Sequence, residues 1–471
     1  MFQKNKISPL YTDLYQLTMG QAYFNSGRHE QPACFDYFFR KLPYKGGYVI
    51  FAGLQELLEM LENLRFSSDD IDYLRKEKFS DDFLGYLESF RFKGSLYGMQ
   101  EGEVVFPFEP ILRVEGSLLE AQLVETMLLN VLNFQSLIAT KANRIRQSAG
   151  ARTLSDFGLR RAQGFGAIQG SRAAIIGGFD SSSNVYAGAL HGIPVSGTMA
   201  HSFIESFDSE LEAFRHYADT FPDKSILLVD TYNTLKSGLP NAIKVGRELE
   251  AGGHRLVAIR LDSGDLAYLS KKARKMLDDE GMEYVKIVIS NQLDEFVIKS
   301  LLDQGAPIDI MGVGTSMIIG RPDGALDGVY KLSESNEVPR LKISDNVQKT
   351  TLPGKKRVLR YLDNDGMFYG DCIVGVNEKN PSLMIHPFEK EKSLNLEGHK
   401  YEDLYHCLME NGKTCHPVMT PFEIRDKVKQ RLQKLPAEHQ RFEYPHIYKV
   451  GISKEIYELR KTVSQKYQQN F

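Results

Sequence analysis

The chain has 471 residues, of which 42% are hydrophobic and 25% are charged, as in ordinary globular proteins. Its 58 basic and 61 acidic residues give a net charge of −3, which excludes a general attraction to nucleic acid or anionic membranes. A chain of this length is expected to form two or three domains. The 4 cysteines are too few for a disulfide framework, no apolar run reaches bilayer-spanning length, and the N-terminal residues lack a signal-peptide core, so we expect a cytoplasmic location.

The first and last parts of the chain combine helix and strand patterns. In residues 1–118, the spacing of apolar residues predicts a helix over 53–64, and aromatic runs predict strands over 35–39 and 96–106. Residues 341–471 return to mixed strands and end in a charged helical pattern. We therefore expect an N-terminal α/β domain and a C-terminal mixed α+β segment that packs back on it.

The middle stretch, residues 119–340, alternates short apolar runs with helical patterns such as 235–251 and 266–278. The apolar runs include ILLV at 226–229, LVAI at 256–259, VKIVI at 285–289 and IDIMGV at 308–313, and others end near Asp156, Gly178 and Gly197. Strands that alternate with helices predict βα units, and buried parallel strands are continuous apolar runs of this kind. This stretch is therefore predicted to form a parallel sheet.

Polar or reactive residues follow these predicted strands. They are Asp156-Phe157, Thr198 to His201, Asp230-Thr231, Arg260 to Asp262, Ser290-Asn291 and Gly314-Thr315. In (β/α) barrels the functional groups lie at the carboxyl ends of the strands. One such residue alone is better explained as a helix N-cap, but six successive strand ends favour a ring of functional groups. The predicted fold class is therefore α/β, with a (β/α) barrel in the middle of the chain.

The segment Gly312-Val313-Gly314-Thr315-Ser316 follows the last predicted strand. Glycines let backbone N–H groups approach an anion, hydroxyls add donors, and barrel phosphate sites commonly follow the late strands. Arg321 is near enough in the chain to neutralise the same phosphate. The alternative is a glycine-rich turn capped by Ser316, but the position after the last strand favours a phosphate site.

A cation and two carboxylates share another strand end, at Arg260, Asp262 and Asp265. This corner could bind a sugar diol, a metal–diphosphate or an aromatic acid, and Asp265 is a possible Mg²⁺ ligand. The alternative makes Asp262 a helix cap and Arg260 its partner. We favour a ligand site because an arginine beside the apolar LVAI run requires an anion.

Three further side chains have both a functional and a structural interpretation. His201 could act as a base, a metal ligand or a phosphate acceptor, but no HxH, HExxH or CxxC motif supports a metal site. Phe157 could stack on a flat ring and Arg160 could hold a phosphate, or they are a core phenylalanine and a surface arginine. Tyr15, with Tyr11, fits a buried aromatic helix face, which the residues alone favour.

Cys407 and Cys415, each beside a histidine, flank a predicted hairpin turn at Asn411-Gly412. Two cysteines and two histidines that face each other across a hairpin could bind zinc. The intervals do not match a zinc ribbon, and cysteine is often an ordinary core residue. We therefore do not expect zinc here.

Taken together, these motifs resemble those of the nicotinate phosphoribosyltransferase family. The matching stretches are TDLYQLTM (12–19), FRKLPYKGGYVIFAGL (39–54), the long run 106–146, DFGLRRAQG (156–164), GTMAHS (197–202), VDTYNT (229–234), RLDSGDLAYLS (260–270) and GVGTSMI (312–318). They occur in order up to about residue 330, and the rest of the chain matches less distinctively. The resemblance implies a type II phosphoribosyltransferase fold: an irregular α/β barrel with an N-terminal α/β domain, in a homodimer whose sites lie at the subunit contact.

The resemblance also implies an activity. Members of the family join nicotinate to phosphoribosyl diphosphate, giving nicotinate mononucleotide and diphosphate, the entry step of NAD salvage. The expected cofactor is Mg²⁺, and ATP is a co-substrate whose hydrolysis is coupled through a phosphorylated histidine, here His201. Asp230 would orient that histidine. The expected partners are these small molecules and a second subunit, without nucleic acid or membrane.

Site roles carry over by motif. Tyr15 and Phe157 would sandwich the pyridine ring, and Thr198 and Arg260 would bind nicotinate. The residues expected at phosphoribosyl diphosphate are Arg160, Asp262, Gly314, Thr315 and Arg321, with Arg40 and Lys41 resembling basic residues that reach the neighbouring subunit's site. Asn184 aligns with a position at which nicotinamide-using relatives have a carboxylate, and a neutral side chain there suits the acid.

Three alternative functions remain at this point. A related enzyme could use nicotinamide or quinolinate, although quinolinate would require a denser basic pocket. A barrel lyase or isomerase acting on a sugar phosphate would share the phosphate site but need no pyridine base. A non-catalytic nucleotide sensor would need neither His201 nor the acidic corner at Asp262.

Overall fold

The structure is a computed structural model that describes residues 7–343, 349–389 and 391–468. It divides into two compact units. Unit 1 comprises the described parts of 1–137, 325–419 and 426–471, and unit 2 comprises 138–324 and 420–425. The sequence-based boundaries at 118 and 340 stay predictions. No helix among the described residues is long and apolar enough to cross a membrane.

The helices are numbered in chain order. They are α1 (Leu14–Asn25), α2 (Leu54–Glu62), α3 (Ser68–Lys76), α4 (Asp81–Glu88), α5 (Leu118–Leu123), α6 (Glu125–Ala149), α7 (Gly166–Gly177), α8 (Val185–His191), α9 (His201–Glu205), α10 (Glu210–Thr220), α11 (Leu239–Ala251), α12 (Leu266–Asp279), α13 (Glu295–Asp303), α14 (Thr315–Ile318), α15 (Pro421–Lys434) and α16 (Lys454–Gln468).

The strands are numbered in the same way. They are β1 (Pro32–Phe39), β2 (Val49–Ile50), β3 (Ser95–Gly98), β4 (Val104–Val105), β5 (Leu112–Ser117), β6 (Thr153–Asp156), β7 (Ser181–Ser182), β8 (Ile226–Leu228), β9 (Ala258–Leu261), β10 (Lys286–Ser290), β11 (Ile310–Val313), β12 (Gly328–Ser335), β13 (Val338–Pro339), β14 (Lys356–Leu362), β15 (Phe368–Gly375), β16 (Leu383–Ile385), β17 (Ser393–Asn395), β18 (Lys400–Asp403), β19 (His406–Glu410), β20 (Lys413–Thr414) and β21 (Val450–Ser453).

Unit 1 is built on sheets that join the two ends of the sequence. Within its described residues, one sheet has the order β13-β12-β1-β5-β3-β19-β20 and another the order β17-β16-β21-β15-β14-β18. β1 is antiparallel to both β5 and β12, so strands almost 300 residues apart in the chain, such as those containing Phe39 and Gly328, are direct neighbours. The aromatic rings of Phe35 and Tyr330 stack at 4.8 Å in the core between them.

A charged cluster lies in the interior of unit 1. Arg360 is fully buried and donates to Glu103 at 2.6 Å and to Asp371 at 2.6 and 2.9 Å. Arg431 donates to the same Glu103 at 2.7 Å. Burial, then the charge of Asp371, raises the pKa of Glu109 well above its ordinary value. The raised pKa favours the protonated form of Glu109, and the ion pairs of the cluster link β14, β15 and α15 to Glu103 beside β4.

Unit 2 is built on a parallel sheet whose described strands follow the order β7-β6-β11-β10-β9-β8. The last strand of the unit pairs with the first, Val313 with Asp156, as required in a sheet that curls round. A parallel bridge between Ser182 and Val195 extends the other end. Among the described residues no ladder joins the segment around Val195 to β8, and we call the gap between these two edges of the sheet the seam.

Most predicted elements are confirmed, and three are wrong. The predicted helices appear as α2, α11 and α12, the predicted strand 35–39 lies within β1, and positive φ angles at Asn411 and Gly412 form the hairpin turn. The apolar run ending at Gly178 is the buried helix α7, not a strand, and the run ending at Gly197 contributes only the Val195 bridge. The predicted strand 96–106 is two strands, β3 and β4, interrupted by a turn at Gly102.

The fold class is therefore mixed α/β, as predicted, with antiparallel and mixed sheets in unit 1 and a curled parallel sheet in unit 2.

Candidate active site

The carboxyl ends of neighbouring strands in unit 2 bring the predicted residues together. β6 ends at Asp156, β9 contains Arg260, β10 ends at Ser290 and β11 ends one residue before Gly314. Because these strands are parallel and adjacent, their ends meet along one edge of the sheet.

Arg260 connects three segments at this edge. Its Nε donates to Ser290 Oγ at 2.9 Å, and its Nη1 donates to Thr198 Oγ1 at 2.8 Å and to the Met199 carbonyl at 3.4 Å. Its Nη2 donates to Asp262 Oδ1 at 2.8 Å. A guanidinium has five N–H donors, and contacts among the described residues use four of them, so one Nη2 N–H remains for a ligand.

The Arg260–Asp262 ion pair is partly buried, with side-chain exposures of 14% and 31%. Ser290 Oγ, which accepts from Arg260, donates in turn to Asp262 Oδ1. The ion pair between Arg260 and Asp262, which the sequence offered as an alternative to a ligand site, is therefore present. The same geometry leaves a cation with a spare donor at the strand ends, where an anionic ligand can bind.

The Asp230 carboxylate holds the loop that follows β9. Its Oδ2 accepts from the backbone N–H of Asp262 and from Ser263 Oγ, both at 2.7 Å. Its buried Oδ1 has no hydrogen-bond partner among the described residues. No hydrogen bond joins Asp230 to His201 among the described residues, so the expected role of Asp230 in orienting that histidine stays a prediction.

His201 begins the short helix α9 and is half-buried. Its Nδ1 lies 3.0 Å from Thr231 Oγ1. A hydroxyl can donate to or accept from an imidazole nitrogen, so this contact fixes the ring in either tautomer. Thr231 is thus the residue that orients His201, and Nε2 is the nitrogen outside this hydrogen bond.

Phe157 lies beside Arg260, whose guanidinium carbon is 5.5 Å from the ring centroid. Its backbone N–H donates to the Val313 carbonyl at 2.8 Å. A Cβ on Gly312 would lie 2.4 Å from the Phe157 ring, so only glycine fits there. The glycines of the GVGTS segment therefore make room for the aromatic ring as well as for any phosphate.

Asp156 and Asn184 are structural in this geometry. Asp156 accepts from the backbone of Gly158, from Ser171 Oγ and from Ser182 Oγ, each at 2.7 Å, while burial raises its pKa above the usual value. Asn184 is 1% exposed and caps α8, accepting from the Ala187 N–H at 3.1 Å. Its amide nitrogen donates to the Ala167 carbonyl and to Ser171 Oγ.

The residues expected at phosphates differ in exposure. Gly314 and Thr315 open α14 and are partly buried, whereas Arg160 and Arg321 are exposed. Asp265 is exposed and caps α12, accepting from the Tyr268 N–H at 3.0 Å. No group of three or more His, Cys, Asp or Glu among the described residues could hold a metal ion by itself.

Tyr15, Arg40 and Lys41 belong to unit 1. Tyr15 on α1 is 48% exposed and Tyr11 is 44% exposed, so the preferred interpretation of a buried aromatic face is wrong. Arg40 stacks 5.7 Å from the Phe38 ring centroid, its Nε is buried without a hydrogen-bond partner among the described residues, and Lys41 is exposed.

Two residues of the site were missed in the sequence. Thr231 and Ser290 were noted as strand-end residues, but nothing in the sequence favoured a functional role over a cap. Thr231 is 30 residues from His201, and Ser290 is 30 residues from Arg260. The available signal was that Thr231 follows β8 and that Ser290 ends β10, the strand paired with the one that contains Arg260.

Comparisons with known proteins agree with the motifs. Three sequence models of the nicotinate phosphoribosyltransferase family match: its N-terminal domain at 10–133, the family itself at 152–370 and its C-terminal domain at 355–460. The chain is 44% identical to nicotinate phosphoribosyltransferase of Bacillus subtilis, over 97% of this chain and 95% of the relative. It is 38% identical to that of Dictyostelium discoideum, over 96% and 87%.

A solved structure gives the same result. The crystal structure of human nicotinic acid phosphoribosyltransferase aligns with a TM-score of 0.87 and 32% identity, covering 96% of this chain and 99% of that one. The chain belongs to the nicotinate phosphoribosyltransferase family.

Proposed function

We propose that this protein joins nicotinate to phosphoribosyl diphosphate to give nicotinate mononucleotide and diphosphate. The observation that supports it best is the Arg260 cluster. One spare guanidinium N–H, the Phe157 ring and Thr198 lie at the strand ends of a chain that is 44% identical to a nicotinate phosphoribosyltransferase.

Nicotinate binding follows from these side chains. The carboxylate of the substrate would accept from Arg260 and the pyridine ring would lie against Phe157. Because the pyridine nitrogen is already a nucleophile, no protein base is needed to activate it. Asp262, fixed by Arg260 and Ser290 through Oδ1, would use its other oxygen at the ribose end of phosphoribosyl diphosphate.

The diphosphate is the leaving group, so its charge must be stabilised as the bond to ribose breaks. Gly314 and Thr315, with Arg160 and Arg321, are the residues we assign to phosphate. Mg²⁺ would supply charge neutralisation on the diphosphate, and the exposed Asp265 would hold it, since its role as a cap uses only Oδ1.

We further propose that ATP phosphorylates His201. The contact of Nδ1 with Thr231 favours Nε2 as the nitrogen that receives the phosphoryl group. The added negative charge would change the affinity of the site for the substrate diphosphate. Asp230 would contribute by holding the 262–263 loop rather than by touching the histidine.

The ring-like order of the strands in unit 2 supports a complete barrel in which the seam beside Val195 is closed by side chains. Two hydrogen bonds, Arg260–Thr198 and His201–Thr231, already cross that seam. We also propose a cytoplasmic homodimer in which Tyr15, Arg40 and Lys41 of one subunit complete the site of the other. The exposure of Tyr15, of Lys41 and of Leu14 at 64% supports a role for this surface outside its own unit, and the partly buried Arg40 has an Nε without a hydrogen-bond partner among the described residues.

The decisive assay incubates the protein with phosphoribosyl diphosphate, Mg²⁺ and ATP, and with nicotinate, nicotinamide or quinolinate in parallel. We expect nicotinate mononucleotide as the main product and ADP formation coupled to it. Product from nicotinamide or quinolinate instead would replace the proposed substrate. Activity on a sugar phosphate without any pyridine base, or no turnover at all, would favour the lyase or sensor alternatives.

The phosphohistidine has its own test. His201→Ala should abolish ATP stimulation while leaving some ATP-independent transfer, and Thr231→Val should weaken stimulation because the ring loses its anchor. Mass spectrometry under alkaline conditions should find the phosphate on the peptide that contains His201. A phosphate on any other residue would overturn the assignment.

A further inference from the structure

Two exposed thiols lie side by side in unit 1, far in sequence from the residues assigned to catalysis. Cys407 in β19 and Cys415 just after β20 have Sγ atoms 3.0 Å apart. A disulfide bond is about 2.0 Å long, so the sulfurs are within roughly 1 Å of bonding distance. The other two cysteines, Cys34 and Cys372, are fully buried.

A β-bulge explains how the thiols come together. β19 and β20 pair Met409 with Thr414, a register that by alternation would turn Cys407 and Cys415 to opposite faces. On its other side β19 pairs with β3, and the register shifts between Cys407 and Met409. Such a bulge re-aims a side chain, here directing Cys407 toward Cys415.

The hairpin holds the two thiols in this arrangement. The Cys415 N–H donates to the Leu408 carbonyl at 3.1 Å, and Cys415 Sγ lies 3.3 Å from the Cys407 carbonyl. The tight turn at Asn411-Gly412 fixes the register of the strands. Because the cysteines are only eight positions apart, forming a bond between them needs no movement of distant chain.

The two thiols belong to no group of three or more His, Cys, Asp or Glu that could hold a metal ion among the described residues. Burial, then the hydrogen bond and charge of Cys415, raises the pKa of Cys407 to about 11.

We propose that Cys407 and Cys415 are a reversible modification site that low-molecular-weight disulfides oxidise to an intramolecular disulfide. The Cys415 thiolate attacks one sulfur of oxidised glutathione, giving a mixed disulfide and releasing one glutathione thiolate. Cys407 then loses its proton to solvent and attacks Cys415 Sγ, releasing the second glutathione. Two protein thiols are oxidised, one glutathione disulfide is reduced, and excess reduced glutathione reverses both steps.

The order in which the two thiols react follows from the raised pKa of Cys407. The raised pKa of Cys407, caused first by burial and then by its contact with Cys415, makes Cys407 the poorer first nucleophile, so attack begins at Cys415. Once Cys415 is a mixed disulfide, its sulfur lies next to Cys407, which loses its proton and resolves it. The short Sγ–Sγ distance makes this second step fast compared with attack by a second glutathione.

The test equilibrates the full-length protein with oxidised and reduced glutathione at several ratios. After acid quench and alkylation, mass spectrometry should show loss of two hydrogens and of two alkylatable thiols, with a disulfide joining the peptides of Cys407 and Cys415. We expect Cys34 and Cys372 to remain reduced. Persistence of all four thiols at the highest oxidant ratio, or a disulfide involving Cys34 or Cys372, would overturn the proposal.

Matched serine variants check the mechanism. Cys407→Ser should accumulate a stable glutathione adduct on Cys415, at least ten-fold more than the wild type, because the resolving thiol is missing. Cys415→Ser should react more slowly than Cys407→Ser. An equal, stable adduct in the wild type and in Cys407→Ser would mean that the pair does not close, and would refute the assignment.

Discussion

Replacement of Arg260 tests how the protein distinguishes nicotinate from nicotinamide. The two bases have the same ring and nearly the same size, so charge must separate them. Four of the Arg260 N–H donors hold Ser290, Thr198, Met199 and Asp262, and one Nη2 N–H is left for the substrate carboxylate. The acid therefore gains one charge-assisted hydrogen bond that the amide cannot match.

The magnitude follows from that single contact. A hydrogen bond to a charged group contributes about 1.5–3 kcal/mol, which corresponds to roughly a ten- to hundred-fold change in kcat/KM for nicotinate. Arg260→Ala should lose all of it and also leave Asp262 without its cation. Arg260→Lys keeps the charge, but a single nitrogen cannot reach Ser290, Thr198 and Asp262 together, so we expect an intermediate loss of about ten-fold.

The assay measures kcat/KM for nicotinate and for nicotinamide and compares their ratio. The ratio is used because a disturbance of the loop after β9 lowers both values alike. Arg247→Ala is a matched control: Arg247 is an exposed arginine on α11 that pairs with Glu250 and Glu280. It should leave the ratio unchanged. An unchanged ratio in Arg260→Ala would mean that another residue reads the carboxylate, and the assignment would have to be abandoned.

Three further substitutions probe the phosphate segment, the α8 cap and the buried charged cluster. Thr315→Val should raise the KM for phosphoribosyl diphosphate by about ten-fold and affect that for nicotinate less, in steady-state kinetics, since one hydrogen bond to a charged group is lost. If only the KM for nicotinate changed, Thr315 would not lie at the phosphate site. Asn184→Asp should lower the unfolding free energy in urea by about 1–3 kcal/mol, because a carboxylate cannot donate to the Ala167 carbonyl. It should also weaken nicotinate binding and narrow the gap to nicotinamide, and unchanged stability would contradict the hydrogen bond from Asn184 to the Ala167 carbonyl. Glu109→Gln should flatten the pH dependence of stability. The raised pKa of Glu109 means that the unfolded chain releases this proton first, so wild-type stability falls by up to about 1.4 kcal/mol per pH unit above its ordinary pKa of about 4.3. Thermal unfolding should be measured between pH 5 and 8. If stability falls with pH equally steeply in the wild type and in Glu109→Gln, the raised pKa of Glu109 is refuted.

Elements with one dominant pattern could be predicted from the sequence. The runs that form β8 to β11 are continuously apolar because parallel strands are covered on both faces. The turn at Asn411-Gly412 was predictable because asparagine and glycine readily adopt the positive φ angles that the turn requires. The run ending at Gly178 failed because a fully buried helix is as apolar as a buried strand. β7 was missed because its two residues, both serine, have no apolar signal.

The candidate site, too, could be predicted only in part from the sequence. The grouping of Arg260, Asp262 and Thr198 was expected from strand-end positions, and the structure brings all three into contact. The partner of His201 was not predictable, because Asp230 and Thr231 are adjacent in sequence and only the backbone geometry decides which side chain faces the ring. The cap role of Asn184 depends likewise on where α8 begins.

The pairing of β1 with β12 has a consequence for how the chain is made. Unit 2 is inserted between these strands, so a chain leaving the ribosome cannot complete the seven-stranded sheet until residues 328–335 have emerged. Unit 2 can fold earlier, because its own strands lie closer together in sequence. Its collapse shortens the effective loop that β1 and β12 must close, and each halving of that loop removes about 0.6 kcal/mol of closure entropy. We therefore expect nascent chains that end before residue 328 to contain a protease-resistant 138–324 part of unit 2 and a protease-sensitive N-terminal part, although the N-terminal part was synthesised first.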